Sequence, residues 1–448
     1  MKNLLKLMSS LLLMAAFATA TVSCSKDDNE QVSATGITVE PATFTIHTGD
    51  KHTLSAIVLP ENTQDRTVTW SSSAANIVAV DANTGEITGI AIGSAIITAA
   101  TVNGKTATSS VSVIPSVYAA GTDTDGNNKL VAVLWKNGVA SKLESDEYIS
   151  GASSVFVTDN NDVYIAGKMS TDASDKAIVT VWKNGVIHQK WTDGTKEVEV
   201  RSIAVSGNNI YVAGAEKNEA GFFEAVLWEN GVKKRLTQGI DEDAYAYSVF
   251  ASGNDVYVTG GEYFRFYNSR KYAAVLWKNG VKQILADTSI YHSEAHSVFV
   301  SGNDVYAAGQ ISSRIPDLNE WGLATVWKNG EMQKLTNAID NTAIARSVFV
   351  LGNDVYVAGE EFFPDGTSGA NVATLWKNGV KQSLDNISNE TIAFTVFAFG
   401  NDVYVGGVQD DEEPGEDTED KLRAILWTNG EKQQLSDKKS IVTSVFVK

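Results

Sequence analysis

Three observations lead to an all-β chain in two parts: a β-sandwich over residues 35–115, then a seven-bladed β-propeller over 116–448 closed by its own terminal strands. A unit recurs seven times in the second part, its tryptophans 46 to 51 residues apart. Short apolar runs separated by turn residues fill both parts. The chain enters the repeat on a second-strand motif and ends on a first-strand motif, so its two ends are expected to complete one blade and cover both sheet edges.

Composition bounds the rest. The chain has 448 residues, 43% hydrophobic and 20% charged, enough apolar material for packed cores in two to three domains. With 36 basic against 54 acidic side chains the formal charge is -18, which argues against a phosphate-backbone binder, so nucleic acid is not an expected partner. A single cysteine excludes an intramolecular disulfide framework and a multi-cysteine zinc site.

The first 23 residues read as a secretory signal peptide: Lys2 and Lys6 precede an apolar run from Leu7 to Ala18, too short to span a bilayer, followed by small residues. The lone cysteine, Cys24, falls at the end of Thr21-Val22-Ser23-Cys24, which resembles a bacterial lipobox with threonine in place of the common leucine. That resemblance implies a lipidated N-terminal cysteine. Ala18-Thr19-Ala20 offers the alternative of an ordinary cleavage site. Residues 24–34 form a polar tether. Its Ser25-Lys26-Asp27-Asp28-Asn29-Glu30 is similar to the tether of Bacteroidetes lipoproteins and implies export to the outer leaflet of the outer membrane. A solvated linker is the plainer reading.

Residues 35–115 hold eight candidate strands: 37–39, 44–46, 54–59, 67–70, 77–80, 87–90, 95–101 and 106–114. They are punctuated by Thr48-Gly49-Asp50, Asn83-Thr84-Gly85 and Asn103-Gly104. The run TVTWSSSAANIVAVDANTGEITGIAIGSAIITA (67–99) resembles the bacterial Ig-like group 2 domain. The resemblance implies an Ig-like sandwich, a core role for Trp70, and service as a spacer or adhesive module.

In the repeat, [LV]-W-x-N-G places tryptophans at Trp135, Trp182, Trp228, Trp277, Trp327, Trp376 and Trp427, V-Y-x-x-G recurs, and S-V-F-V, or a variant such as Ser202-Ile203-Ala204-Val205 or Thr395-Val396-Phe397-Ala398, begins each unit. Asn-Gly supplies the positive-φ pair of a type I′ hairpin, and Ser-Gly-Asn-Asp is expected to do the same. Each blade then runs S-V-F-V, V-Y-x-x-G, the tryptophan strand and a short outer strand. The repeated aromatics are read as blade packing, not as seven binding sites. The period and the V-Y-x-x-G glycine loosely resemble kelch repeats, which implies fold and not activity.

Length and variety are confined to the connections on one face, where recognition is expected. The residue just before each first strand should lie at the channel mouth: Ser153, Arg201, Tyr247, His296, Arg346, Phe394 and Thr443. Of these, Arg201, Tyr247, His296 and Arg346 are the candidate ligand-binding residues, with Tyr263, Phe266, Tyr267, Trp321 and Phe363 from the aromatic-rich loops. The two arginines suit a carboxylate or sulfate, unless loop acids such as Glu199, Glu294 or Asp340 pair with them. His292-x-Glu294-x-His296, Asp123-x-Asp125-x-Asn127 and the loop 410–420, with eight carboxylates in eleven residues, are weighed as metal sites and not adopted; no metal or cofactor is expected.

The leading expectation is therefore a monomeric, lipid-anchored surface protein whose propeller face binds a glycan or a surface or host protein. A polysaccharide lyase or hydrolase using Arg201, His296 and Arg346 is the alternative, although no nucleophile–base pair stands out. A purely structural part of a surface complex is the third reading.

Overall fold

The structure, a computed structural model, describes residues 32–145, 148–171, 176–237, 242–266, 269–313, 322–337, 342–363, 370–386, 390–410 and 421–448. Cys24, most of the tether, Tyr267, Trp321, Asp340 and residues 411–420 fall outside them, as does the side chain of Phe266. No helix occurs among the described residues. The chain divides into two compact units, one of residues 32–45, 51–88 and 94–112, the other of 46–50, 89–93 and 113–448.

The first unit is a sandwich of short antiparallel strands. Thr43–His47, Thr106–Ile114, Gly93–Thr101 and Val68–Ser72 form a four-stranded sheet, and Gly36–Glu40 pairs with Ser55–Leu59. Trp70 is in the core, covered by Gly85, whose positive φ of 72° lets the backbone lie against the indole; a Cβ there would come within 2.7 Å of the ring. One expectation needs correction. The run 54–59 forms one strand, Ser55–Leu59, but a further strand, Lys51–Thr53, precedes it and pairs at an edge with Glu86–Gly89. Its polar sequence has no apolar alternation to announce it.

Among its described residues the second unit contains seven four-stranded antiparallel sheets. Their inner strands are Ile149–Val157, Val198–Ser206, Ala244–Ser252, Tyr291–Ser301, Thr342–Leu351, Glu390–Phe399 and Ile441–Val447. In six sheets the four strands follow in chain order; in the seventh, Ile441–Val447 pairs with Val117–Thr124, Val117 opposite Val447. Each inner strand contacts the inner strand of the next sheet, and Ile441–Val447 contacts Ile149–Val157.

The repeated motifs are structural. In W-x-N-G the asparagine and glycine both take positive φ, 52° and 81° at Asn279-Gly280. The asparagine then fastens the second strand: its N–H donates to Val256 O and its Oδ1 accepts from Val256 N, both at 2.8 Å. Asp255 binds Asn279 Nδ2 at 2.7 Å and Lys278 Nζ at 2.8 Å. The same aspartate–lysine–asparagine clasp recurs at Asp304, Asp354 and Asp162. All seven repeat tryptophans are buried, at 1% exposure or less. The Ser-Gly-Asn-Asp turn differs from expectation. Only its glycine takes a positive φ (59° at Gly302), the type II′ pattern.

Every inner strand also contains a β-bulge, and the extra residue is Ser153, Arg201, Tyr247, His296, Arg346, Phe394 or Thr443. These residues therefore lie inside the strands, which start three to six residues earlier than the S-V-F-V motif suggests. The glycine of V-Y-x-x-G is what admits the bulge. A Cβ on Gly309 would lie 1.8 Å from Glu294 O, and the same contact recurs at Gly121, Gly167, Gly214, Gly260, Gly359 and Gly407, at 1.8–2.0 Å.

Just beyond the bulge the S-V-F-V hydroxyl reaches the next sheet. Ser202 Oγ accepts from Val249 N, Ser248 from Val298, Ser297 from Val348, Ser347 from Val396, Thr395 from Val445 and Ser444 from Val155, at 3.1–3.3 Å. Three residues past the bulge stands a phenylalanine. Phe250, Phe299, Phe349, Phe397, Phe446 and Phe156 touch in sequence with centroids 4.3–5.3 Å apart, and Ala204 takes the corresponding place in the remaining strand.

Gly309→Ala is expected to destabilise the protein by about 3 kcal/mol, because the new methyl group meets backbone that cannot step aside. Gly126→Ala, with open space at the Cβ position, is the control. Equal urea midpoints for the two variants would contradict the steric origin of the bulge.

Candidate functional site

The seven bulges converge. Ser153, Arg201, Tyr247, His296, Arg346, Phe394 and Thr443, with Val200 and Ile441, line one cavity of about 470 Å³. A bulge turns the side chain of its extra residue out of the strand's normal alternation. Repeating the device in seven sheets brings seven such residues to a common space.

The large residues stand together. Arg346 is bound in bidentate fashion by Glu360, with Nε–Oε2 at 2.7 Å and Nη2–Oε1 at 2.5 Å, and its guanidinium lies 5.4 Å from the centroid of Phe394. Glu360 is only 3% exposed; burial holds its carboxyl above the usual range and the arginine pulls it back. Arg201 lies over the Tyr247 ring at 5.8 Å, its Nη2 3.3 Å from Glu199 Oε2. Lys168 approaches the other oxygen of Glu199 at 3.6 Å.

Between the arginines are Tyr247 and His296, rings 5.2 Å apart. Tyr247 and Tyr272 share a hydrogen bond of 2.7 Å between their hydroxyls; burial raises both phenols, so both remain protonated. His296 Nε2 is 3.3 Å from Glu294 Oε2 without making an aligned hydrogen bond. This is not an ion pair at neutral pH. Burial, with Arg346 and Arg201 adding repulsion, lowers the imidazole from 6.5 to about 3, while burial raises Glu294 against hydrogen bonds from Gln310 and Tyr272. The opposite wall is small: Ser153, Val200, Ile441 and Thr443. Thr443 Oγ1 is 3.0 Å from the carbonyl oxygens of both Ala120 and Ala152, which engages its hydroxyl in the fold.

Four candidate residues, Arg201, Tyr247, His296 and Arg346, are thus brought together. Tyr263 joins indirectly, its ring 3.8 Å from that of Tyr272. Phe363 does not line the cavity; Lys381 Nζ lies 5.1 Å from its centroid. The loop acids contribute Glu199 and Glu294, but Arg346 takes Glu360, which sequence reasoning missed. Glu360 directly follows the V-Y-x-x-G glycine, as do Gln310, bound to Glu294, and Lys168, beside Glu199. Tracking the position after each glycine across the repeats would have found all three. The Asp123–Asn127 stretch is a hairpin turn: Asp125 Oδ1 accepts from the N–H groups of Asn127 and Lys129.

Folded His296 accepts its proton near pH 3, against 6.5 for a free imidazole. As pH falls through 6.5 the unfolded chain binds this proton and the folded chain does not, so the residue increasingly favours unfolding down to about pH 3. His296→Gln is expected to lose less stability than wild type between about pH 7 and pH 4 in urea titrations. Parallel acid curves would mean that the imidazole ionises freely in place.

Comparison with known proteins locates one family. The bacterial Ig-like domain (group 2) matches residues 33–112. An uncharacterized protein of Clostridium acetobutylicum is 42% identical over 87 residues, 19% of this chain and 9% of that protein. An Ig-like virion protein of Serratia phage KSP90 is 43% identical over 74 residues, 16% of this chain and 29% of that one. The chain thus spans less than a third of either relative. Among solved structures, the β-propeller domain of the Trilobed protease from Pyrococcus furiosus aligns with a TM-score of 0.42 and 10% identity, covering 84% of this chain and 97% of that one. The acylaminoacyl peptidase of Pyrococcus horikoshii aligns at 0.43 and 14%, covering 72% and 51%. The protein is an all-β chain whose N-terminal domain is similar to the group 2 bacterial Ig-like family.

Proposed function

We propose that this is a lipid-anchored surface protein whose seven sheets are the blades of a propeller closed by the terminal strands, and whose ring of bulged residues is a binding site for a glycan or protein ligand. The single observation that carries the reading is the convergence of Arg201, Tyr247, His296 and Arg346 on one cavity. Stability alone does not call for large polar residues at four of seven equivalent bulges when Ser153 and Thr443 serve at two others. The cavity falls in the size range of small-ligand sites, with Val200, Phe394 and Ile441 as apolar lining beside fixed polar groups. Closure is supported by the pairing of Val117–Thr124 with Ile441–Val447 and by the contact of that last strand with Ile149–Val157. The Ig-like domain serves as the spacer.

Enzymatic cleavage of a polysaccharide is the second reading, favoured by the partly buried Glu294 and the buried Glu360, carboxyl groups held above their usual range beside the cavity. Glu360 is already engaged by Arg346, which weighs against it as a free acid.

A glycan array probed with the mature chain and with Arg201→Ala/Tyr247→Ala is the direct test. Retention of glycan by wild type and at least tenfold weaker signal from the double variant is expected, on the order of the loss of one charged and one aromatic contact. Equal signals would move the site elsewhere, and new reducing or unsaturated ends on acidic polysaccharides would favour the enzyme. For the anchor, Cys24→Ala is expected to abolish labelling by a clickable fatty acid in cells; a wild type that takes up no label removes the lipid from the proposal.

A further inference from the structure

The arrangement of charge around the cavity specifies more than a general binding site. Both guanidiniums are held from two sides, by a carboxylate at one edge and an aromatic ring beneath: Glu360 and Phe394 for Arg346, Glu199 and Tyr247 for Arg201. Glu360 occupies Nε and Nη2 of Arg346, which leaves the Nη1 donors. Arg201 is nearly half exposed, and Glu199 is shared between it and Lys168, two cations on one carboxylate. Around Arg201, then, two cations share one carboxylate in a protein of net charge -18, while Glu294 stands apart beside the neutral His296. A guanidinium oriented in advance loses little freedom on binding, and its flat fork matches a carboxylate.

The remaining walls constrain the rest of the ligand. His296 stays neutral, so it adds hydrogen-bonding capacity without charge. Val200, Ile441 and the engaged Thr443 form an apolar wall beside the Ser153 hydroxyl, on the side where small residues leave the space. A body with C–H faces and hydroxyl edges suits such a surface. The acidic exterior repels a polyanion, which limits the attraction to one carboxylate delivered into the cavity.

We infer that the ligand is a sugar acid of the uronate class whose carboxylate is gripped by Arg201 together with the remaining donors of Arg346. The inference rests on the binding reading above and sharpens it. The acid is either free or the terminal residue of a glycan.

Titration calorimetry on the mature full-length chain tests it with three probes: glucuronate, its uncharged methyl ester, and a disaccharide ending in glucuronate on a neutral sugar. Glucuronate is expected to bind at least about tenfold more tightly than the ester. Arg201→Gln should erase that preference without shifting the melting temperature, and Arg201→Lys should keep part of it. The preference should hold from about pH 8 to pH 5, because His296 does not ionise there. A disaccharide stronger than the free acid identifies a glycan terminus, and a weaker one identifies the free acid; either supports the inference. Equal binding of acid and ester, or no binding of either acid, overturns it. In those cases a neutral-glycan array signal lost in the cavity variant leaves the parent reading standing, and its absence removes both. Affinity that tightens as pH falls to 5 would assign the charge to His296 and overturn the role of the arginines.

Discussion

One close approach underlies the second unit: the glycine of each V-Y-x-x-G lies against the carbonyl oxygen of the residue two before the bulge, where any Cβ would come within 1.8–2.0 Å. The absent side chain allows the inner strand to carry one extra residue. That extra residue leaves the strand's alternation, and the register shift sets the following serine or threonine to accept the N–H of the next inner strand. A local steric allowance thus becomes a link between sheets, worth about 1 kcal/mol at each hydrogen bond. The phenylalanines two residues further on add a tier of aromatic contacts, about 0.5–1.5 kcal/mol for each pair.

This arrangement separates stability from recognition. Buried tryptophans and the type I′ turns repeat almost unchanged, because every sheet meets the same neighbours, and the aspartate–lysine–asparagine clasp recurs in four sheets. The clasps are solvent-exposed, so their ion pairs count for little singly; their geometric effect is to hold the third strand in register with the second. The bulged position is released from this repetition. Its seven occupants include serine, threonine, arginine, tyrosine, histidine and phenylalanine, and they face one cavity.

Around that cavity the charged groups are held by specific neighbours. Gln310 and Tyr272 support Glu294, Glu294 lies beside a neutral His296, and Glu360 fixes Arg346. Burial opposes ionisation at His296, Glu294 and Glu360, and the arginines decide which carboxylates are offset. What faces the lumen is a pair of braced guanidiniums on one side and small, largely apolar residues on the other.

Much of this is legible in the amino-acid sequence. The seven-fold unit, the strand order, the Asn-Gly hairpins and seven of the residues that line the cavity all follow from motif spacing, because turn chemistry and alternation act over a few residues. Even so, spacing places Arg201 and His296 before their strands and not at bulges within them, since the strands extend upstream through segments such as Val198-Glu199-Val200 that carry no repeated motif. The edge strand Lys51–Thr53 and the type II′ turn at Gly302 escape for a similar reason: polar residues and a lone glycine are compatible with several backbone conformations. Partner choice is decided by the tertiary structure alone. Arg346 has Asp340 close in sequence but binds Glu360, brought to it by pairing of neighbouring strands, and His296 is neutral because of what surrounds it. Local periodicity specifies which side chains face a common space, whereas ion pairing and protonation depend on distance and burial, which exist only once the sheets have packed.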